Sequence, residues 1–284
     1  MSNTAGILYI VATPLGNLDD ISTRAVRLLS GVELIAAEDT RHSARLLQRY
    51  GIPGPVTALH EHNERAKVPE LIRQMQAGKS IALICDAGTP LVSDPGYHLA
   101  RAAQDAGITV SPVPGGCAAI AALSAAGLPS DAFVFDGFPP SRRAARRTWF
   151  EARRSERRTL IFYESPHRIL ASLQDMAEVF GGAREATLAR ELTKKFETIR
   201  RASLQELYDW VARNAEQTRG EFVIIVHGAE KPKSTAIGAE AERVLRILLA
   251  ELPVKQAAAL AARITGAKKS QLYKFALSAP PTRR

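Results

Sequence analysis

The sequence lacks the features that mark disulfide-rich, zinc-binding and membrane proteins. Its 284 residues include two cysteines, Cys85 and Cys117, which are too few for a disulfide framework or a typical zinc site. The N-terminus shows no secretory pattern, and the longest apolar runs are too short to cross a membrane. We therefore expect a soluble cytoplasmic protein that has no membrane partner and no bound metal.

The glycine fingerprint of dinucleotide-binding folds is also absent. Residues 7–12 are apolar and predict a buried strand, but the loop after them contains only Gly16. Because the G-x-G-x-x-G pattern brings a helix N-terminus and close backbone to a pyrophosphate, its absence argues against NAD or FAD. The backbone amides of residues 14–17 can still face another ligand.

The composition is that of a folded protein with an anionic partner. Hydrophobic residues make up 46% of the chain and charged residues 24%, which favours a globular structure of roughly two domains. The formal net charge is +9. Such a charge favours nucleic acid, and a membrane is less favoured because no basic amphipathic anchor is evident.

The strongest site signal is IALICDAGTPLVSDPG, residues 81–96. Its apolar start predicts a parallel strand buried on both faces, and ligands of such sheets bind just beyond the strand ends. A second glycine loop, residues 114–117, follows the strand-like residues 108–113. Turn residues and a helix cap would explain the loop within residues 81–96 taken alone, whereas two such loops together predict one cleft.

Alternating strands and helices over residues 7–127 predict a mainly parallel α/β domain. We expect this domain to span residues 1–128 and a second α/β domain to span residues 129–229. A linker by composition follows, and residues 236–284 predict a helical tail that resembles a helix-turn-helix. A basic helical hairpin that only covers the domain is the alternative for the tail.

Acid–base clusters follow three predicted strands, and we expect them to meet at one sheet edge and to handle the reaction. The candidate catalytic residues are Asp39, Arg41, Glu61, Asn63, Glu191 and Lys194. A capped helix start at Asp39 and a purely structural salt-bridge network are the alternatives. His60 and His62 favour substrate contact over metal, since no third ligand is evident.

Eight arginines lie between positions 142 and 158. Such a density of one charge favours RNA phosphates, with Trp149 and Phe150 as base platforms if they are exposed, over a solvated helix face. The candidate RNA-binding residues are Arg142, Arg143, Arg146, Arg147, Arg153 and Arg154, with Lys268 and Lys269 in the tail.

Seven motifs occur in one order along nearly the whole chain: IVATPLGNLDDIS, AAEDTRH, CDAGTPLVSDPG, VPGG, FYESPHR, ARELTKKFE and GEFVIIV. Together they resemble the tetrapyrrole methylase superfamily, and within it the bacterial ribosomal RNA small-subunit enzymes that methylate a cytidine 2′-hydroxyl. The resemblance implies the class III methyltransferase fold with two α/β domains and S-adenosylmethionine in the cleft between them. It also implies a homodimer that acts on 16S ribosomal RNA or the 30S subunit and not on DNA.

The same resemblance implies which residues bind the cofactor. They are Leu15, Gly16, Asp86, Ala87, Gly88, Thr89, Asp94, Pro114, Gly115, Gly116, Cys117, Ala118, Tyr163, Glu164 and Glu221. A tetrapyrrole or other small-molecule methyltransferase and a noncatalytic RNA-binding protein are the alternatives. The arginines and the tail argue against the first, and the intact loops argue against the second.

Overall fold

The computed structural model describes residues 5–230 and 238–278. The chain divides into two compact units, Met1–Ala229 and Glu230–Arg284. Two five-stranded sheets with their helices form the first unit, and three helices form the described part of the second. Within the described residues, no helix has both the length and the apolar character needed to span a bilayer.

The first sheet is parallel throughout, as predicted. Its strands are β1 (Ile7–Val11), β2 (Leu34–Ala37), β3 (Val56–Ala58), β4 (Ile81–Ile84) and β5 (Thr109–Val113). They pair in the order β3-β2-β4-β1-β5. The central strand β4 is buried along its whole length, with Leu83 in the core of one face and Ile84 in the core of the other. Its uniformly apolar sequence follows from this double cover.

Five helices accompany this sheet: α1 (Thr23–Gly31), α2 (Thr40–Arg49), α3 (Glu64–Gln76), α4 (Tyr97–Asp105) and α5 (Ala118–Ala125). Side-chain caps fix where the first two begin. Ser22 Oγ accepts a hydrogen bond from the Ala25 amide, and Asp39 accepts one from the Arg41 amide. Asp39 is therefore a helix cap, which was the structural alternative for this residue.

The second sheet is mixed. Its strands are β6 (Phe133–Gly137), β7 (Thr159–Glu164), β8 (Glu185–Arg190), β9 (Thr198–Ser203) and β10 (Phe222–Val226). They pair in the order β6-β7-β10-β8-β9, and only the β6–β7 pair is parallel. Its helices are α6 (Arg143–Glu151), α7 (Ile169–Phe180) and α8 (Leu204–Arg213).

Alternate residues of β7 join the cores on the two faces of this second sheet. Phe162 packs with Phe150 and Leu173 in the core that holds the helices. Ile161 belongs to a second core that includes Ala122 and other small residues of α5. Since α5 follows the last strand of the first sheet, its packing on the second sheet ties the two sheets into one unit.

The second unit contains α9 (Ala239–Glu251), α10 (Val254–Thr265) and α11 (Lys269–Ser278). Leu245, Ala257 and Leu272, one from each helix, are fully buried in their shared core. Gly266 ends α10 in the left-handed conformation, with φ of 71°, as expected of a glycine C-cap. Residues 236, 237 and 279–284 of the predicted tail lie outside the described residues.

Candidate active site

A cavity of about 430 Å³ lies where the loops of the first sheet face the second sheet. This volume is suited to a small-molecule ligand. Its lining combines both halves of the first unit: Leu15, Glu38, Asp86, Ala87, Gly88, Thr89, Val92, Ser93, Asp94, Cys117, Ala118, Phe138, Tyr163, Glu164, Ser165, Pro166, Leu192, Glu221, Phe222 and Val223.

Backbone and hydroxyl contacts join the three loops of the first sheet beside this cavity. The Thr13 and Gly88 amides exchange hydrogen bonds of 2.8 and 3.1 Å with each other's carbonyls. The Thr13 hydroxyl donates to the Cys85 carbonyl at 3.1 Å, and the Thr89 hydroxyl donates to the Gly116 carbonyl at 2.8 Å. The loops predicted to share a cleft are thus connected by direct hydrogen bonds.

The glycines of these loops serve different purposes. Gly88 has φ of 93°, and a Cβ there would lie 3.3 Å from the Leu15 side chain, which also lines the cavity. A Cβ on Gly115 would instead lie 2.9 Å from the Ala12 Cβ. Gly115 therefore lets two loops approach each other and does not line the cavity. Pro114, Gly116 and Gly16 likewise lie outside the lining.

Three carboxylates form an acidic wall: Glu38, Asp86 and Asp94. The Asp86 amide donates to Glu38 Oε2 at 3.3 Å, and the Asp39 amide donates to Asp86 Oδ1 at 3.2 Å. Burial raises the pKa of Glu38, and it raises the pKa of Asp94 to about 6. Among the described residues, no cationic side chain forms an ion pair with any of the three carboxylates.

The second sheet supplies the opposite wall. The Tyr163 hydroxyl accepts a hydrogen bond of 3.1 Å from the Ala119 amide, and burial raises its pKa. The Glu164 side chain is fully buried and is already satisfied by Arg168 at 2.7 Å and by the Ser172 hydroxyl. Its carboxylate therefore has a cationic partner, whereas the carboxylates of the acidic wall have none among the described residues.

Backbone strain concentrates in two loops beside the cavity. Leu91, Ser93, Glu191 and Thr193 are the non-glycine residues with positive φ among those described, at 73°, 68°, 52° and 66°. Each such conformation costs on the order of 1–3 kcal/mol and persists only when the surroundings impose it. Ser93 lines the cavity, and the residue between the other strained pair, Leu192, lines it too. This placement marks both loops as functional candidates.

None of the six predicted catalytic residues lines the cavity. Asp39 is held by Arg41, whose guanidinium contacts it at 3.0 Å and whose side chain is 91% exposed. This hydrogen-bonded ion pair lowers the pKa of Asp39 to about 2. A carboxylate held so strongly in its ionised form is a weak proton acceptor.

Asn63 builds the turn after β3. Its Oδ1 accepts from the His60 amide at 2.9 Å, and its Nδ2 donates to the Ala58 carbonyl at 3.2 Å. Glu61 is exposed in that turn, while the ring nitrogen Nδ1 of His60 is buried without a partner. Within the parts of the chain that the structure describes, no three potential ligand side chains come together to hold a metal.

The third cluster, Glu191 and Lys194, contacts a cavity residue but does not lie at the sheet edge that was predicted for it. The expectation that all three clusters share one parallel edge is wrong, because Glu191 and Lys194 follow β8, an antiparallel strand of the second sheet. Lys194 Nζ binds Glu191 at 2.9 Å and the cavity-lining Glu221 at 2.8 Å. Its side chain also covers Gly16, where a Cβ would lie 2.3 Å from it. Lys194 thereby joins the loop after β1 to the second sheet.

The pKa shifts of this cluster reflect the same contacts. Burial opposes the ionised form of Lys194, but its hydrogen bonds to Glu221 and Glu191 outweigh that effect and raise its pKa. Burial likewise acts to raise the pKa of Glu191, yet the Lys194 ammonium and the Glu221 amide lower it overall. Both groups are therefore held as a charged pair at neutral pH.

Most of the predicted arginines have acidic partners. Arg146 is 3% exposed and binds Asp175 at 2.7 Å, and Arg143 contacts the same carboxylate at 3.1 Å. Arg147 contacts Asp175 and Glu178, Arg153 contacts Asp136, and Arg154 contacts Glu151. The prediction of Arg146 as an RNA contact is therefore wrong, because its guanidinium is buried.

The aromatic residues beside these arginines are part of the fold. Phe150 is fully buried in a core, so the structure contradicts its suggested role as a base platform. Trp149 is partly buried and carries the Arg153 guanidinium 3.5 Å from its ring centroid. Arg142 and Arg157 form no ion pair within the described chain, and Lys268 and Lys269 are exposed at the start of α11.

Comparisons with known proteins identify the family. Residues 7–208 match the family Tetrapyrrole (Corrin/Porphyrin) Methylases. The chain belongs to the tetrapyrrole methylase family. Residues 235–279 of this methylase match a second family, RsmI C-terminal HTH domain, in agreement with the helical tail.

Curated relatives cover nearly the whole methylase. It is 62% identical over 275 residues to the Ribosomal RNA small subunit methyltransferase I of Pseudomonas aeruginosa, covering 96% of this chain and 98% of that protein. The protein of the same name from Escherichia coli O157:H7 is 54% identical, with 97% and 96% covered. These identities confirm the sequence resemblance.

Solved structures share the fold of the methylase. A uroporphyrin-III-C-methyltransferase from Thermus thermophilus has a TM-score of 0.55 at 22% identity and covers 78% of this chain and 94% of its own. A diphthine synthase has a TM-score of 0.62 at 14% identity, covering 78% and 90%. The predicted α/β fold is thereby confirmed.

Several cavity residues of this methylase were not among the predicted site residues, although Val92 and Ser93 lie in the predicted site loop: Glu38, Val92, Ser93, Phe138, Ser165, Pro166, Leu192, Phe222 and Val223. Glu38 and Leu192 each adjoin a predicted catalytic residue in sequence, so strand-end position was a usable signal. Phe222 and Val223 belong to β10, which looks like an ordinary core strand in sequence. No local pattern distinguishes them.

Proposed function

We propose that this methylase transfers a methyl group from S-adenosylmethionine to the 2′-hydroxyl of a cytidine in small-subunit ribosomal RNA. The observation that supports this most is the cavity, whose acidic wall of Glu38, Asp86 and Asp94 forms no ion pair among the described residues, in a chain 62% identical to a named ribosomal RNA methyltransferase. The substrate class is that of this relative, and the cytidine ribose is what the family resemblance of the sequence motifs implies.

The residues of the cavity suit this cofactor chemically. S-adenosylmethionine carries a cationic sulfonium and an ammonium group, and half-buried carboxylates without a basic partner attract such charges. Glu38, Asp86 and Asp94 would face them, while Ala118, Leu192 and other apolar side chains suit the adenine. When bound, the cofactor supplies an electrophilic methyl group.

The predicted cofactor residues then divide into two groups. We assign direct contact to those in the lining: Leu15, Asp86, Ala87, Gly88, Thr89, Asp94, Cys117, Ala118, Tyr163, Glu164 and Glu221. We assign the shaping of the loops to Gly16, Pro114, Gly115 and Gly116, which pack behind it.

The chain must align the ribose oxygen with the methyl group and accept the hydroxyl proton. Transfer to the ribose oxygen would break the methyl–sulfur bond of the bound cofactor and leave S-adenosylhomocysteine, and the hydroxyl proton would pass to a carboxylate of this chain. Asp94 lines the cavity with a pKa of about 6, whereas Asp39 has a pKa of about 2. We therefore favour Asp94 as the acceptor and retain Asp39 and Glu61 as the competing candidates.

The remaining rim residues receive roles on the RNA side. We propose that the exposed guanidinium of Arg41 contacts a phosphate and that Asn63 presents Glu61 and the adjoining turn to the nucleotide. Glu191 and Lys194 hold the loop that contains Leu192 against the cavity. In the tail, we propose that the exposed Lys268 and Lys269 contact RNA phosphates.

Product analysis tests the function directly. Purified protein would be incubated with methyl-labelled cofactor and either small-subunit ribosomal RNA or the assembled subunit, and digested nucleosides would be identified by mass spectrometry. We expect labelled 2′-O-methylcytidine. Label on a base, or label on a tetrapyrrole with none on RNA, would contradict the proposal and favour the small-molecule alternative.

Several further expectations remain predictions. We keep 1–128, 129–229 and 236–284 as proposed domain boundaries, and we propose a homodimer that binds ribosomal RNA in the cytoplasm and does not bind DNA. Light scattering would measure the oligomeric state. Competition between ribosomal RNA and duplex DNA for the protein would measure the preference between the two nucleic acids.

A further inference from the structure

Phe138 is an exposed aromatic side chain within the cavity. It follows the last residue of β6, lines the cavity and is 52% exposed. Large apolar side chains exposed at a ligand site lose more water-exposed surface on binding than buried ones do. The ring therefore needs an explanation beyond the packing of the fold.

The backbone around Phe138 is fixed on both sides. Gly137 has φ of 64°, and a Cβ there would lie 3.2 Å from Ser93 Oγ, a residue of the opposite wall. The pairing of β6 with β7 is irregular between Phe135 and Gly137, which redirects the chain at this point. On the other side, the Pro139 carbonyl accepts a hydrogen bond of 3.1 Å from Arg168.

The ring itself is oriented by one aromatic neighbour. Its centroid lies 5.6 Å from that of Tyr163 at an interplanar angle of 66°. Tyr163 is in turn held by Phe135, at a centroid distance of 4.9 Å, and by the Ala119 amide. An exposed ring supported by a rigid neighbour is pre-organised for stacking.

We propose that Phe138 is a stacking platform for the base of the target nucleotide. This inference rests on the proposed function, because a ribose that reaches the methyl group brings its own base to the cavity mouth. A base taken out of its RNA stack commonly stacks on an aromatic side chain. We assign the adenine of the cofactor instead to the apolar wall of the cavity that includes Phe222 and Val223, each less than 5% exposed.

Three substitutions separate stacking from packing. Phe138→Tyr keeps the ring, Phe138→Leu keeps apolar bulk without a ring, and Phe138→Ala removes both. Phe196→Ala is the matched control, because Phe196 is 63% exposed and does not line the cavity. For each variant, kcat and KM would be measured on ribosomal RNA, and the cofactor Kd would be measured by calorimetry without RNA.

We expect Phe138→Ala and Phe138→Leu to reduce kcat/KM for RNA by roughly 5- to 100-fold, the range of one lost base stack. Phe138→Tyr and Phe196→Ala should stay close to the parent protein, and the cofactor Kd should not change. A fluorescent cytidine analogue at the target position gives a second readout. Its emission should be quenched on binding the parent and the tyrosine variant, and less so on binding the leucine variant.

Weakened cofactor affinity in the leucine variant would assign Phe138 to the adenosine and overturn the proposal. Equal kcat/KM in the parent, leucine and alanine proteins would also overturn it. If Phe138→Ala does not fold, the comparison of tyrosine with leucine decides alone. Failure of the proposed function looks different, since the parent protein itself would then leave RNA ribose unmethylated in the same assay.

Discussion

The cavity and the arginine run at positions 142–158 both concentrate charge of one sign, yet the fold treats the two regions in opposite ways. In the cavity, Glu38, Asp86 and Asp94 have no cationic partner among the described residues. In the arginine run, Arg143, Arg146 and Arg147 meet Asp175 of α7, which is itself buried.

The difference shows that charge density in a sequence does not by itself mark a binding surface. An arginine cluster that meets buried carboxylates has its charge compensated within the fold and contributes to stability. A carboxylate cluster left uncompensated at a cavity keeps an electric field for a ligand to complement. Substitutions at the cavity should therefore change turnover, and substitutions at the paired arginines should change the free energy of unfolding.

The largest effect is expected at Asp94. Asp94→Asn should reduce turnover by roughly 100-fold or more, the usual scale for loss of a general base, while Asp39→Asn should reduce it less. Single-turnover rates at saturating cofactor and RNA would measure this. Parent-like turnover in Asp94→Asn would return the role to Asp39 or Glu61, whose variant Glu61→Gln completes the set.

The pH dependence of turnover gives a second test of Asp94 as the proton acceptor. Because burial raises the pKa of Asp94 to about 6, its carboxyl group is protonated below that pH and cannot accept a proton. Turnover should therefore fall as pH decreases through about 6. The turnover of Asp94→Asn should not show this fall. The raised pKa also means that ionised Asp94 opposes folding above pH 6, so Asp94→Asn should be more stable than the parent at neutral pH.

Arg146 should show the opposite behaviour, with a large change in stability and little change in RNA affinity. Arg146→Met leaves the buried Asp175 carboxylate with only Arg143 and Arg147, whose side chains are much more exposed than that of Arg146. We expect a loss of roughly 3 kcal/mol in the free energy of unfolding. Denaturant unfolding would measure it. A variant of parental stability but weak RNA binding would restore Arg146 as an RNA contact.

Smaller effects are expected from substitutions at two glycines of the cavity loops. Gly88→Val adds bulk beside Leu15 and forces a side chain into positive φ, so cofactor affinity should fall. Gly115→Val should mainly lower Tm, because its Cβ meets Ala12. Gly107→Val is the control, since Gly107 has φ of 71° with no atom near its Cβ, and it should show only the strain of about 1–2 kcal/mol.

The smallest effect is expected from the arginines without acidic partners. Arg142→Ala and Arg157→Ala should each reduce the slope of log K for RNA against log salt by about one if each contacts a phosphate. Arg146→Met should leave the slope unchanged. Equal slopes in all of these proteins would remove the arginine run from the RNA surface.

The sequence alone determined the first sheet and one wall of the cavity. Uniformly apolar strands such as β4, alternating with helices and followed by loops of glycine, hydroxyl and acidic residues, favour a buried parallel sheet with its ligand at the strand ends. The placement of Asp86, Gly88 and Asp94 at the cavity follows from those patterns. The ordered motifs added the family, which the comparisons confirm.

Only the tertiary structure decided what faces that wall and which charges stay free. Asp175 lies 29 positions beyond Arg146, and Glu221 lies 27 positions beyond Lys194, so no local pattern announces either pair. The residues of strand β9, TIRRAS, lack apolar alternation, so its pairing with β8 and not a local pattern makes it a strand. Burial and partner choice are properties of distant segments brought together, and those properties separate a compensated charge from one that binds a ligand.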